Sequence, residues 1–344
     1  CGGAAARYAV FGAPSGAFAP SVSGVRDIDW SSATEMPEYA IVTPPRRWFP
    51  GFEEAVRPLA DFRSAQGLST RGVDAEEIYN AFTHGLAHPG AFQRFSAAGV
   101  TQAPTPRLRY LLFAGNGGSD YKLDAIGFGE RWPWVTYFPL YLYPVIGETD
   151  ALMAPNDMIL GNGSGSSVPE VAVGRFIATN AAELASMVAK TIRYELTAPW
   201  KSRATFVAST QLAEDTVNFS NLVSQAATSF AAGGWTPKTF YPYGSLTLSK
   251  LWQNTSVTPQ TGASIELQSG SGILYYFGHS SDQMLGTASS GTGCFVNQAT
   301  LRTASWPFAP VLFVAGCRAG RWTLYDFTGT YQNLAEAGVR NPQS

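Results

Sequence analysis

Two apolar runs, each ending in a reactive side chain, constrain this chain more than any other feature. Gly272-Ile273-Leu274-Tyr275-Tyr276-Phe277-Gly278 leads directly into His279, and Pro310-Val311-Leu312-Phe313-Val314-Ala315-Gly316 leads directly into Cys317. Short uninterrupted apolar runs bounded by turn residues predict fully buried strands of a parallel sheet. In open α/β sheets the carboxyl ends of such strands collect ligands and chemistry. If the two strands are neighbours, imidazole and thiol share one crevice, the arrangement of a cysteine nucleophile activated by a base. The competing readings are a buried structural cysteine and a core histidine with its hydrogen bonds satisfied.

The rest of the composition narrows the class. At 344 residues the chain can bury one large core or two smaller ones. Net charge is -2 with no long like-charge cluster, which argues against a nucleic-acid partner or a polybasic membrane surface. Charged residues make up 14%, arginine outnumbers lysine, and small residues and proline fill the loops, as expected of an exported protein. No stretch reaches the ~20 apolar residues of a transmembrane span. The chain opens at Cys1-Gly2-Gly3, so either a signal has been removed or the sequence is part of a longer protein. A leading cysteine followed by glycines also resembles a mature bacterial lipoprotein. Cys1, Cys294 and Cys317 are an odd set, which suits no disulfide framework. A Cys294–Cys317 bridge is the alternative that would silence the crevice.

Strand and helix patterns alternate along the chain, which predicts an α/β fold with parallel strands and crossover helices. Residues 1–36 read as the tail of a preceding element. Tyr39 to Thr43 reads as a strand, Phe52 to Ser64 as a helix, and Asp74 as the cap of a helix through Ile78 and Phe82. Leu108 to Ala114 is a further strand. Tyr121 to Ser167 is irregular and aromatic, as in a loop that covers a cleft. A helix from Asn180 to Tyr194 completes a first subdomain, 37–198. Thr205 to Ala208 opens the second, 199–344, with a helix from about Asp215 to Phe230.

Read in order, several segments resemble the gingipain-type cysteine peptidases. They are Tyr39 to Pro44, Leu59 to Arg63 with Gly67-Leu68, Glu76 to Tyr79, Arg109 to Gly115, Thr149-Asp150, Pro169 to Phe176, and Glu183-Leu184 through Tyr194-Glu195. The histidine motif is similar over Tyr276 to Ser281 and the cysteine motif over Val311 to Gly320. The likeness runs from about residue 37 to 340. It implies a caspase-like three-layer sandwich, a mostly parallel sheet flanked by helices in two side-by-side subdomains, with the dyad in the second. It also implies export, a protein or peptide substrate, no cofactor for the chemistry itself, and structural calcium. Where the family has Val-Gly-Asp this chain has Ala114-Gly115-Asn116, so one expected calcium carboxylate is missing. The family continues into another apolar strand after the segment matching Asn333 to Ala337, which suggests further segments of a larger precursor.

On that resemblance Cys317 is the nucleophile, whose thiolate an adjacent imidazolium favours. His279 is the base and later the acid. The oxyanion donors are the backbone N–H groups of Ser280 and Cys317. The family usually has glycine where Ser280 stands, and losing one donor costs about 10²–10³ in rate. The acidic residue expected to orient the histidine falls near Gln211, which carries no charge. Asp215 matches a carboxylate at the floor of the pocket for the residue before the cut, where it would select Arg or Lys; otherwise it caps the following helix. Asp150 is a further candidate in the cleft, or a solvated turn. His84 and His88 read as surface residues, and three histidines without carboxylates at ligand spacing do not make a catalytic zinc site. The chemistry so read is endopeptidase cleavage through a thioester. The alternatives are a transpeptidase using the same dyad, or a catalytically retired structural or interaction subunit.

Overall fold

The computed structural model describes residues 28, 30–31, 35–102, 107–118, 138–140, 142–144, 153–163, 168–196, 203–209, 212–232, 236–240, 272–286, 294–305, 310–320 and 333–341. Within them two four-stranded sheets carry the fold. The first is built from β1 (Tyr39–Thr43), β2 (Thr70–Asp74), β3 (Tyr110–Ala114) and β4 (Ala172–Phe176), paired in parallel in the order β2-β1-β3-β4. Its helices are α1 (Phe52–Ala65), α2 (Ala75–Thr83), α3 (Pro89–Ala97) and α4 (Ala181–Leu196). Ala40, Ile41 and Val42 of β1 are fully buried, as an uninterrupted apolar run between two layers of helices requires. Asp74 caps α2 as expected, accepting from the Glu76 N–H at 2.9 Å. Trp30 and Met36, in the segment read from sequence as a leading tail, are buried in this first core.

The second sheet comprises β5 (Arg203–Ala208), β6 (Thr236–Phe240), β7 (Ile273–Phe277) and, after a short antiparallel pair β8 (Met284–Gly286) and β9 (Cys294–Asn297), β10 (Val311–Ala315). Its order is β6-β5-β7-β10, again all parallel. The helices are α5 (Phe219–Ala232), α6 (Gln298–Thr303) and α7 (Leu334–Arg340). The two sheets thus have the same topology, with β3 equivalent to β7 and β4 to β10. Two residues past β3 and β4 stand the buried Asn116 and Ala178; two residues past β7 and β10 stand His279 and Cys317. Among the described residues, the exits of these paired strands carry an imidazole and a thiol in the second sheet and an amide and a methyl group in the first. The described residues therefore form a mixed α/β fold of parallel sheets flanked by helices.

Two sequence expectations need correction. β10 is not fully buried: among the described strands it is the last of its sheet, and Val311 and Phe313 are 40% and 50% exposed. An apolar run does not reveal whether its strand is central or at an edge. The helix placed from about Asp215 starts instead at Phe219, with the Asn218 side chain accepting from the Asn221 N–H at 2.9 Å. No described helix is long and apolar enough to cross a membrane.

α7 ties the halves together. Lys190 of α4 donates from Nζ to the carbonyls of Gly338 and Val339 at 3.1 and 3.0 Å, and Arg340 Nε donates to the Ile177 carbonyl at 3.1 Å. Glu336 closes a capping box with Asn333 and faces Arg340 at 3.4 Å. Burial pushes its carboxyl up to about 7, against the pull of Arg340 and the Asn333 N–H. A carboxyl raised in the folded state binds its proton more tightly there than in the unfolded chain. Its contribution is therefore full below pH ~4.5 and lost as pH rises through about 7. At 1.36 kcal/mol per unit the loss is about 3 kcal/mol at most. Glu336→Gln keeps the capping acceptor and is expected to flatten the fall in melting temperature between pH 5 and 8. An unchanged pH slope in this variant would sink the assignment.

Candidate active site

The order β6-β5-β7-β10 reverses direction between β5 and β7, and a crevice opens at the carboxyl ends of such neighbours. β7 is held centrally, because it buries Leu274 and Tyr276 on one face and packs Ile273, Tyr275 and Phe277 against the α5 core on the other. Its exit is pinned on both sides. The Ser209 N–H donates to the Phe277 carbonyl at 2.9 Å, and the Gly278 N–H donates to the Ala315 carbonyl at 3.0 Å. The next residue, His279, has its carbonyl taken by the Tyr276 hydroxyl and by the Gly286 N–H.

The imidazole lies edge-on to Phe219, the first residue of α5, with centroids 5.3 Å apart. Its Nε2 is 2.9 and 3.0 Å from the two carboxylate oxygens of Asp215. Asp215 is held in turn by the Leu212 N–H at 2.7 Å. Desolvation works to raise the Asp215 carboxyl, but the Leu212 N–H and the imidazole outweigh it and hold the group below its ordinary value. A carboxylate only accepts, so the neutral imidazole carries its proton on Nε2 and leaves the Nδ1 lone pair free to take another.

Cys317 sits at the matching exit of β10. Phe277 and Ala315 are register partners, so His279 and Cys317 each follow a paired residue by two positions on strands about 4.8 Å apart. The exits stay in contact, for the Ser280 Oγ donates to the Cys317 carbonyl at 2.7 Å. The thiol is free and exposed, which removes the disulfide alternative. Among the described residues, neither the Ser280 N–H nor the Cys317 N–H donates to a protein acceptor. Ser280 keeps an ordinary backbone, since His84 and Arg318 are the only described non-glycine residues with positive φ. The strain that serine would carry in a glycine conformation is therefore absent.

Sequence reasoning set Asp215 at a pocket floor or helix cap and sought the histidine's partner near Gln211. The structure gives the Asp215 carboxylate to the imidazole, and Asn218 does the capping. The available signal was position: an acid in the loop after the strand at the switch point. Gln211, Asp150 and Cys1 lie outside the described residues. His84 and His88 are exposed, one ending α2 and the other capping α3. A cavity of about 550 Å³ between the halves, bordered by Met187, Lys190, Leu274 and Val314, is lined by neither His279 nor Cys317. Among the described residues no group of three or more His, Cys, Asp or Glu is placed to hold a metal ion.

The model of "Peptidase family C25" matches residues 32–344. The solved structure of the Arg-specific cysteine proteinase gingipain R (RgpB) superposes with a TM-score of 0.59 at 20% identity, covering 89% of this chain and 60% of that one. A complex of the pro- and mature domains of RgpB from Porphyromonas gingivalis gives 0.58 at 20%, covering 88% and 60%. A structure described only as a protease gives 0.56 at 15%, covering 89% and 57%. At these identities the superpositions bear on the fold alone, and the chain spans about 60% of the gingipain structures' length. No curated protein sequence matches it. The match over nearly the whole chain, on a fold that brings His279 and Cys317 to adjacent strand ends, places this protein in peptidase family C25.

Proposed function

We propose that this chain is an exported cysteine endopeptidase working through Cys317 and His279. The observation that carries the reading is the imidazole held by Asp215 through Nε2, with Nδ1 open, one strand away from a free exposed thiol. The sulfur attacks the peptide carbonyl carbon while its proton passes to Nδ1 of His279. Negative charge collects on the former carbonyl oxygen, facing the N–H groups of Ser280 and Cys317. Collapse breaks the C–N bond as the imidazolium protonates the leaving amine, and a thioester remains. Water then attacks the thioester, His279 takes its proton, and the C–S bond breaks to return the thiol. Asp215 keeps the ring oriented and offsets the charge of the imidazolium.

Cleavage after Arg or Lys belongs to this reading by likeness to an enzyme described as Arg-specific. With the Asp215 carboxylate engaged by His279, Asp150 is the candidate left to receive a basic side chain. Export, with a lipid on Cys1 as one means of anchoring, is part of the same proposal.

The test is a panel of fluorogenic peptides ending in Arg, Lys or uncharged residues, with product masses read with and without an added amine. Turnover lost on alkylation of Cys317 by iodoacetamide supports the reading. A product joined to the amine shifts it to transpeptidation. An unreactive Cys317 and no turnover leave a retired subunit. Because the Leu212 N–H and the imidazole hold the Asp215 carboxyl below its ordinary value, Asp215→Asn removes a charge throughout the working range. It is expected to lower kcat about 10–100-fold with KM little changed, since a thiol needs less help than a hydroxyl. Unchanged kcat in this variant would argue against Asp215 as the orienting group.

A further inference from the structure

We infer that the side chain of Ser280 is a positioning residue for the oxyanion site, a role that rests on the peptidase reading above. The argument starts from the ladder between β7 and β10. In a parallel pair, donors from one strand recur every second residue. The Gly278 N–H donates to the Ala315 carbonyl, so the next bond in register would run from the Ser280 N–H to the Cys317 carbonyl. That bond would consume one of the two N–H groups needed at the oxyanion. Instead the Ser280 hydroxyl takes the Cys317 carbonyl at 2.7 Å, and the Ser280 N–H is left without a protein acceptor. The side chain makes the ladder bond and releases the backbone donor.

Two neighbouring features fit this division of labour. Gly316 leaves the room the hydroxyl needs, because a Cβ there would lie 2.4 Å from the Ser280 Oγ. Arg318 adopts φ 59, a left-handed conformation disfavoured for a non-glycine residue, and the bond to the Cys317 carbonyl holds the peptide that enters it. A glycine at 280 offers its N–H as the only donor for both tasks. The serine is therefore a working replacement at this position, not a sign of a retired site.

The experiment compares wild type, Ser280→Ala and Ser280→Thr in three readouts. They are kcat and KM on the best peptide of the panel, the inhibition constant of a matching peptide aldehyde, and the rate of Cys317 alkylation by iodoacetamide. The aldehyde adduct places an oxyanion in the site; alkylation forms none. Ser280→Ala is expected to lower kcat and weaken the aldehyde about tenfold each, below the 10²–10³ of deleting a donor outright. KM and the alkylation rate should hold, and Ser280→Thr, which keeps the hydroxyl, should stay within about threefold of wild type. Aldehyde affinity and kcat unchanged in Ser280→Ala overturn the inference, as does an alkylation rate that falls in step with kcat. Absence of turnover and of alkylation in wild type would instead reject the peptidase reading itself.

Discussion

Cys317→Ala is expected to abolish peptide cleavage, lowering kcat by about 10⁴–10⁶ as in other enzymes stripped of their nucleophile, while the melting temperature stays within about a degree of wild type. The two halves of this expectation have separate causes. The thiol is exposed and free, at the exit of β10, so its removal opens no cavity and leaves no buried group unpaired. Surface changes of that kind fall within about ±0.5 kcal/mol. The catalytic loss follows because the neighbouring Ser280 hydroxyl cannot replace the sulfur: it is committed to the Cys317 carbonyl. Cleavage that persists in the alanine variant, with contaminating peptidase excluded by a mock preparation, would remove the basis for the dyad. His279→Ala should fail similarly but retain slow alkylation, because the thiol remains.

The parts of the fold legible in the sequence were those encoded locally. Asp74 ahead of Ala75-Glu76-Glu77 announces a capped helix because the short carboxylate and the N–H it serves are two residues apart. β7 and β10 were readable as strands with reactive exits because each apolar run ends in glycine followed by a residue unsuited to a core, whereas their adjacency comes from the strand register. What stayed hidden depends on contacts distant in sequence. Asp215 and His279 are 64 residues apart, and nothing in Leu212-Ala213-Glu214-Asp215 shows that the carboxylate turns away from the following helix toward a ring on another strand. Ser280 read as a defect for a similar reason. Its value lies in a carbonyl 37 residues away, which only the strand register brings within reach.

Gly278→Ala is expected to damage fold and site together, costing about 3 kcal/mol or more in stability and at least a hundredfold in activity of the folded fraction. Gly278 has φ 137, a conformation that side chains rarely adopt. A Cβ there would also lie 2.1 Å from Cβ of Ser209 and 3.1 Å from its Cα and N. The obstacle includes backbone, and Ser209 is itself buried and bonded to the Phe277 carbonyl, so it has nowhere to retreat. The remaining escape is to rotate φ at 278. That rotation breaks the bond to the Ala315 carbonyl and swings His279 off Asp215, because β7 lies between β5 and β10 and neither neighbour can yield without unpairing. Gly72→Ala is the control, since its Cβ would meet nothing within 4 Å, and it should behave as wild type. Denaturation midpoints and aldehyde binding for the two variants separate the causes. A Gly278→Ala protein with wild-type stability and full activity would mean that the strand exits do not approach as closely as the imidazole–carboxylate pair requires.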